Sequence, residues 1–445
     1  MLAIVLALRT KNVLLSLFGG VLLGLFFLQN FHFFASFIAF YELCVDLLSQ
    51  AWILKTLAFA LLVGSVMELL EKSGGIGGFV SYMQEKRKII DSPKKALLLS
   101  YFIGVVIFIE SSITSLIAGA VGRPFCDKYN IPHAKLAFVC DSTSAPVSSL
   151  IVLNGWGALL LGLIATQIES GLLQGDSVEI LIESVLYNFY AMSALVVTFI
   201  AIYFGIDLGA MKHATREKKS FDVVVEKDIS PLFMILPIVF MVGSVFVFLY
   251  LTGDGNILHG SGSSSIFYTM IATLVFMYLL YVGRTPMKTA TFVLAAFKGA
   301  KKLSSIVGVL FFAFAIGKVT NELQTGLYIA SLAKGIVSAS FVAVIIFLLS
   351  ALISFSTGTS WGTFSIMIPI AVPMAVGLDA DVALAIGAVI SGGVFGDHCS
   401  PISDTTIISS LAADCDVVEH VNTQLPYALL SGCIAICAFF LFSLS

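Results

Sequence analysis

Two aspartates seven positions apart, Asp397 and Asp404, sit in a hydroxyl-rich stretch interrupted by Gly392, Gly393, Gly396 and Pro401. Glycine and proline at such places disfavour a continuous helix. On an unbroken helix the two carboxylates would share one face, two turns apart. With Pro401 between them, two half-helices are expected instead. A broken helix frees backbone carbonyls. With the carboxylates and the hydroxyls of Ser400, Ser403, Thr405 and Thr406, these form an oxygen set suited to a hard cation such as Na⁺. The same carboxylate can hold Na⁺ when charged and a proton when neutral. Asp404 also suits the start of a half-helix, where an acidic group caps free N–H donors. His398, next to Asp397, is of the type that senses pH or relays protons, or that braces by hydrogen bonding. No second His or Cys stands near it at metal-ligand spacing.

This polar stretch lies between the apolar runs 382–390 and 425–445. Broken backbone at membrane depth is tolerated where it is buried in protein or lines a wet cavity, and carboxylates there mark an ion or substrate path. The first half of the chain carries an echo. Asp141, Ser142, Thr143, Ser144, Pro146 and Ser149 repeat the Asp397–Asp404 pattern with one residue of slippage. Asp141 therefore pairs with Asp397, while Asp404 aligns with Ser149, has no acidic twin and is the expected direction-setting carboxylate. Each motif follows a second hydroxyl-rich break. Glu110 to Ser115 precedes the first; Ser354 to Thr363, with Thr359 and Ser360, precedes the second. Glu110, midway along an apolar segment, is expected to line the cavity. Trp156 and Trp361 sit beside glycines near these breaks and are expected to pack.

The elements that must position these groups are membrane helices. Hydrophobic residues make up 58% of the chain and charged residues 11%, against about 25% charged in ordinary soluble domains. Mean hydropathy is +1.02. Apolar runs of about 20 residues recur, and the short alternating segments of a β-barrel do not. The reading is an all-α polytopic membrane protein with roughly ten to thirteen passes or re-entrant pieces. The net charge of −3 and the lack of a basic stripe argue against a nucleic-acid partner. The seven cysteines show no C-x-x-C pair and are read as free buried thiols. No Walker loop, G-x-S-x-G or H-E-x-x-H motif is present. The chain is thus read as a carrier and not an enzyme, driven by an ion gradient, with no cofactor.

Positive charge gathers in three loops, around Lys86–Lys95, Lys212–Lys227 and Arg284–Lys302, which places all three in the cytoplasm. Acidic connections such as 169–183 then lie outside. That leaves an odd number of crossings between Lys95 and Glu169, so one of the segments 96–122 and 136–168 must enter and return on the same side. Segments 52–74 and 303–326 are also alike but run in opposite directions. The expected organisation is an N-terminal membrane region 1–51, a first inverted repeat 52–206, a linking region 207–302 and a second repeat 303–445. Duplicated broken helices of this kind point to a transporter's central site.

The run from Val394 through Asp397, His398, Pro401 and Asp404 to Thr406, with Thr423-Gln-Leu-Pro-Tyr427 downstream, resembles the signature of the NhaC-type sodium/proton antiporters. Thr357 to Phe364 and Asp141 to Pro146 match the same pattern. The resemblance implies the ion-transporter-superfamily fold of two inverted repeats with re-entrant hairpins. It also implies exchange of Na⁺ for H⁺ across a bacterial inner membrane. The expected cation and proton site is Asp141, Asp397 and Asp404, with hydroxyls from Ser142, Thr143, Ser144, Thr359, Ser360, Ser400, Ser403 and Thr405. The rival expectation is a Na⁺- or H⁺-coupled carrier of an amino acid or small organic anion. The bilayer, Na⁺ and H⁺ are the expected partners, with a small organic substrate and a second copy of the chain as further candidates.

Overall fold

The computed structural model describes residues 6, 9–10, 12–75, 77–79, 82, 90–108, 111–152, 154–214, 229–255, 260–284, 287–323, 328 and 338–444. Glu110 and the basic residues Lys86, Arg87, Lys88, Arg216, Lys218, Lys219 and Lys227 lie outside them. Among the described residues every regular element is helical. Eight helices among the described residues are long and apolar enough to cross a membrane, or up to eleven if each bent pair counts as one span.

Helices α1 (Val13–Leu28) and α2 (Phe33–Ser49) meet at 119° and lead into α3 (Ala51–Lys72). The next two helices resolve the crossing puzzle. Helix α4 (Pro93–Val106) breaks before α5 (Ser111–Tyr129), and the two pack side by side. Ser100 Oγ donates to Ala118 O at 3.1 Å, near the open end, and the Thr114 hydroxyl donates to Ile107 O near the tip. The arms are antiparallel, so segment 96–122 is the hairpin that enters and returns. Segment 136–168 is instead a broken span, α6 (His133–Leu150) and α7 (Gly155–Glu169), bent by 48°. Asn154 ends the break by capping α7, accepting from the N–H groups of Trp156 and Gly157.

Helices α8 (Ser177–Leu186) and α9 (Phe189–Phe204) complete the first half. Helices α10 (Leu232–Thr252), α11 (Gly262–Arg284) and α12 (Thr289–Lys302) link it to α13 (Ser304–Glu322). The link is tied down by charge: Lys298 and Lys302 of α12 pair with the buried Glu68 of α3, and Lys318 of α13 pairs with Asp46 of α2.

The second half repeats the plan. Helix α14 (Ala339–Thr357) ends at Gly358, whose φ of 67° is left-handed; glycine adopts this without the Cβ clash. Helix α15 (Ser360–Gly377) follows and packs against α14. Helix α16 (Val382–Cys399) breaks at residues 400–403 before α17 (Asp404–Ala413), and α18 (Val417–Phe442) closes the fold. The correspondence extends to contacts. In the first half Asn154 Nδ2 donates to Phe108 O at the hairpin tip, at 3.1 Å. In the second half Ser400 Oγ donates to Phe355 O at 2.8 Å. Across the halves, α5 packs on α17 and α15 packs on α7, each hairpin against the other half's broken helix. The architecture is two inverted-topology repeats with broken helices and hairpins.

Lipid tails are as apolar as leucine, so burying leucine is a weak drive between membrane helices; close approach and hydrogen bonds carry association. The tight pair is α14 on α16. Gly392 and Gly396, one turn apart, let α14 approach so closely that a Cβ there would stand 2.3 Å from Phe347 O and 2.1 Å from Ala351 O. Ser354 Oγ then reaches Gly393 O at 2.6 Å. The thiols divide: Cys126 and Cys140 are buried as expected, but Cys433 and Cys437 are exposed on α18.

Candidate cation and proton site

Asp141 sits mid-way along α6, and Asp397 sits in the last turn of α16; both are essentially fully buried. The first turns of α17 lie between them. They are held there because Ser403 caps α17, its hydroxyl accepting from Thr406 N. This aims two neighbouring hydroxyls at the two carboxylates. Thr405 Oγ1 donates to Asp397 Oδ2 at 3.2 Å. Thr406 Oγ1 stands 3.4 Å from both Asp141 Oδ2 and the Asp397 backbone oxygen.

Around Asp141 the donors multiply. Gln424 Nε2 of α18 donates to Oδ2 at 2.7 Å, and Ser409 Oγ donates to Oδ1 at 3.3 Å. His420 Nε2 lies 3.4 Å from Oδ2. A hydroxyl chain continues from Ser409 to Ser115 at 3.0 Å and on to Ser144 at 2.8 Å, linking α17 to the first hairpin and back to α6.

Around Asp397 they are few. Ser403 and Ser360 stand beside its carboxyl group, but Ser360 Oγ donates to Gly393 O at 3.1 Å. Oδ1 of Asp397 is buried without a hydrogen-bond partner. A buried carboxylate oxygen with nothing to replace water is costly, by about 1–3 kcal/mol even in mutational data on neutral groups and more when charged.

The structure thus gathers Asp141, Asp397, Ser144, Ser403, Thr405 and Ser360 into one buried region. Asp404 stands at the edge of this region, close enough for its charge to act on Asp397. It occupies the first turn of α17, is exposed, and Oδ1 accepts from Thr405 N at 2.9 Å. The remaining expected hydroxyls serve the scaffold. Thr143 bonds back to Val139 O at 2.7 Å, Thr359 caps α15, Ser400 ties the second hairpin, and Ser142 is simply buried. His398 is fully buried, and Nδ1 meets Tyr190 OH at 3.0 Å. Trp156 and Trp361 pack edge to face, 6.2 Å between centroids, where the α7 and α15 N-termini meet.

His420 and Ser409 were not singled out from sequence, while Gln424 appeared only within the Thr423–Tyr427 signature and Ser115 only as the end of the first hydroxyl-rich break. His420 and Gln424 fall four apart in α18, a one-face spacing that was there to be read. Asn188 and Tyr190 had no such signal. Asn188 joins the halves by donating to Ser149 Oγ at 2.8 Å and accepting from Ser391 Oγ at 2.9 Å.

The chain matches the model of the Na⁺/H⁺ antiporter family over residues 154–444. It is 33% identical over 452 residues to a Haemophilus influenzae protein described as uncharacterized, covering 96% of this chain and 86% of the relative. A second protein of that organism, described as an uncharacterized Na⁺/H⁺ antiporter, is 41% identical over 102 residues, 22% of each chain. The malate-2H⁺/Na⁺-lactate antiporter of Bacillus subtilis is 41% identical over 85 residues, 18% of each chain. Among solved structures, the YdaH transporter of Alcanivorax borkumensis superposes with a TM-score of 0.63 at 16% identity, covering 91% of this chain and 88% of YdaH. That likeness concerns the fold. Site, fold and family match agree: this chain is a multi-pass membrane transporter belonging to the Na⁺/H⁺ antiporter family.

Proposed function

We propose that this protein exchanges Na⁺ for H⁺ across a bacterial inner membrane by alternating access, with Asp397 as the group that trades one for the other. The observation that carries this is the orphaned Oδ1 of Asp397 in a region otherwise rich in donors and acceptors. A proton satisfies it as a carboxylic acid; Na⁺ satisfies it as an ionic ligand. Both cannot occupy it together, so the two cargoes compete and their fluxes are coupled. Asp141 stays dressed with donors and holds α6, α17 and α18 in register. The hairpins, packed on the opposite repeats, are the elements whose movement would open the site to either side.

A second reading exchanges an organic anion for the cation. It is favoured by the match to a malate/lactate antiporter, and it places the substrate carboxylate near the N-termini of α7 and α15. Proteoliposome flux separates the two. A Na⁺-induced pH change without organic substrate supports the first reading. A pH change that appears only when malate, lactate or an amino acid is added, with matching uptake of the labelled compound, replaces it with the second.

A further inference from the structure

Gln424 carries an oxygen that the fold leaves unused. Its amide is oriented by its partners: Nε2 lies 2.7 Å from Asp141 Oδ2 and 3.0 Å from His398 O. Both of those atoms are acceptors, so a flipped amide would set its oxygen against two other oxygens; the orientation is forced. Oε1 is therefore a fixed acceptor. It is fully buried and has no donor. The nearby Asn188 shows how a bracing amide looks when complete. Nδ2 donates to Ser149, and Oδ1 accepts from Ser391 and from Ala191 N. Gln424 spends its donors on the scaffold and keeps its acceptor free.

Unpartnered buried atoms of this region also include His398 Nε2 and both ring nitrogens of His420, and the other oxygen among them, Asp397 Oδ1, belongs to the residue next to the carbonyl that Gln424 holds. Two buried oxygens without donors, one charged and one neutral, are thus brought to the same polar region from α16 and α18. A hydrogen-bonding group in the protein would have satisfied them; a hard cation, which takes oxygen ligands, does so equally well.

We propose that Gln424 Oε1 is a neutral ligand of the transported cation and sets its affinity, while the same amide's N–H groups position Asp141. The inference rests on the Na⁺ reading above. It assigns the cation one carboxylate and one amide oxygen, the hard oxygen ligands that Na⁺ takes.

The test is binding of radiolabelled Na⁺ to the purified full-length protein, with transport in proteoliposomes alongside. Four proteins are compared: wild type, Gln424→Met, Gln424→Glu and Asp397→Asn. The expected result is a roughly ten-fold loss of Na⁺ affinity in Gln424→Met, seen as a raised KM with kcat nearly unchanged. Gln424→Glu, which as the neutral acid keeps the acceptor oxygen and one donor toward Asp141, stays within a few-fold of wild-type affinity at a pH low enough to keep it protonated. A purely bracing role predicts the opposite: Glu as damaging as Met, or a fall in kcat with KM unchanged, and either result overturns the proposal. Wild-type affinity in Gln424→Met with loss in Asp397→Asn overturns the Gln424 role alone. Wild-type affinity in Asp397→Asn overturns the Na⁺ reading and the ligand role with it. Should Gln424→Met fail to fold, the Glu variant decides by the same two outcomes.

Discussion

Asp141 and Asp397 echo each other in sequence, yet the structure sets them differently: Asp141 lies mid-way along α6, and Asp397 lies in the last turn of α16, just before its break. Asp141 receives an amide and two hydroxyls and has an imidazole at 3.4 Å. Asp397 receives one hydroxyl bond and keeps an oxygen bare. The physical reason is where α17 and α18 pass. Both belong to the second half, but Thr406, Ser409, His420 and Gln424 turn toward the first half's carboxylate. The duplicated scaffold gives one aspartate a full set of donors and leaves the other with an oxygen that no protein donor reaches, and the proposed exchange rests on that contrast. The lesson is that pseudo-symmetry locates a transporter's site, while the unequal distribution of donors assigns the roles within it.

Four substitutions break or sharpen that contrast, in falling order of effect. Asp397→Asn removes the carboxylate proposed to exchange while keeping its volume; Na⁺-driven proton movement in everted vesicles should be abolished. Asp141→Asn should leave exchange measurable. It turns an amide toward donors that expect an acceptor, a loss of about 1–3 kcal/mol, which should appear as a lowered thermal transition of the purified protein and a raised KM. Thr406→Val removes a hydroxyl placed at long range between the two centres. A net hydrogen bond is worth about 1 kcal/mol, so a few-fold rise in KM for Na⁺ is expected, without loss of kcat. Asp404→Asn should be the mildest, a change of about two- to five-fold, since this exposed carboxylate acts on Asp397 only through its charge, screened by its exposure, and otherwise complements the dipole of α17. If Asp404→Asn instead matched Asp397→Asn, the contrast would have to be redrawn around the acidic residue that lacks a twin.

Much of this was legible in the residues themselves. The glycine and proline breaks and the apolar runs foretold a broken helix in each half, because membrane depth forbids unsatisfied backbone except in protected breaks. But the echo put the first break beside Asp141 at Pro146, whereas α6 runs through Pro146 to Leu150 and is interrupted only before α7. Charge signs required a re-entrant piece between Lys95 and Glu169, and side-chain bonds across α4 and α5 identify it as 96–122. The division of roles was not legible. Asp397 and Asp404 look alike as text. Only the break at 400–403, with Ser403 taking the cap, turns Thr405 and Thr406 inward and leaves Asp404 at the exposed start of α17. Gln424 and His420 lie some twenty residues beyond Asp397, and a helix period alone does not say which repeat they will face. Asn188 gave no signal because its partners, Ser149 and Ser391, come from different halves.

The central claim is that one carboxylate, Asp397, gives up its proton when Na⁺ arrives. The direct measurement is proton release into weakly buffered solution when Na⁺ is added to the purified, detergent-solubilised protein, with choline as the control cation. The account requires Na⁺-specific release from wild type, release that persists in Asp141→Asn at higher Na⁺, and none from Asp397→Asn. Undiminished release from Asp397→Asn would contradict it.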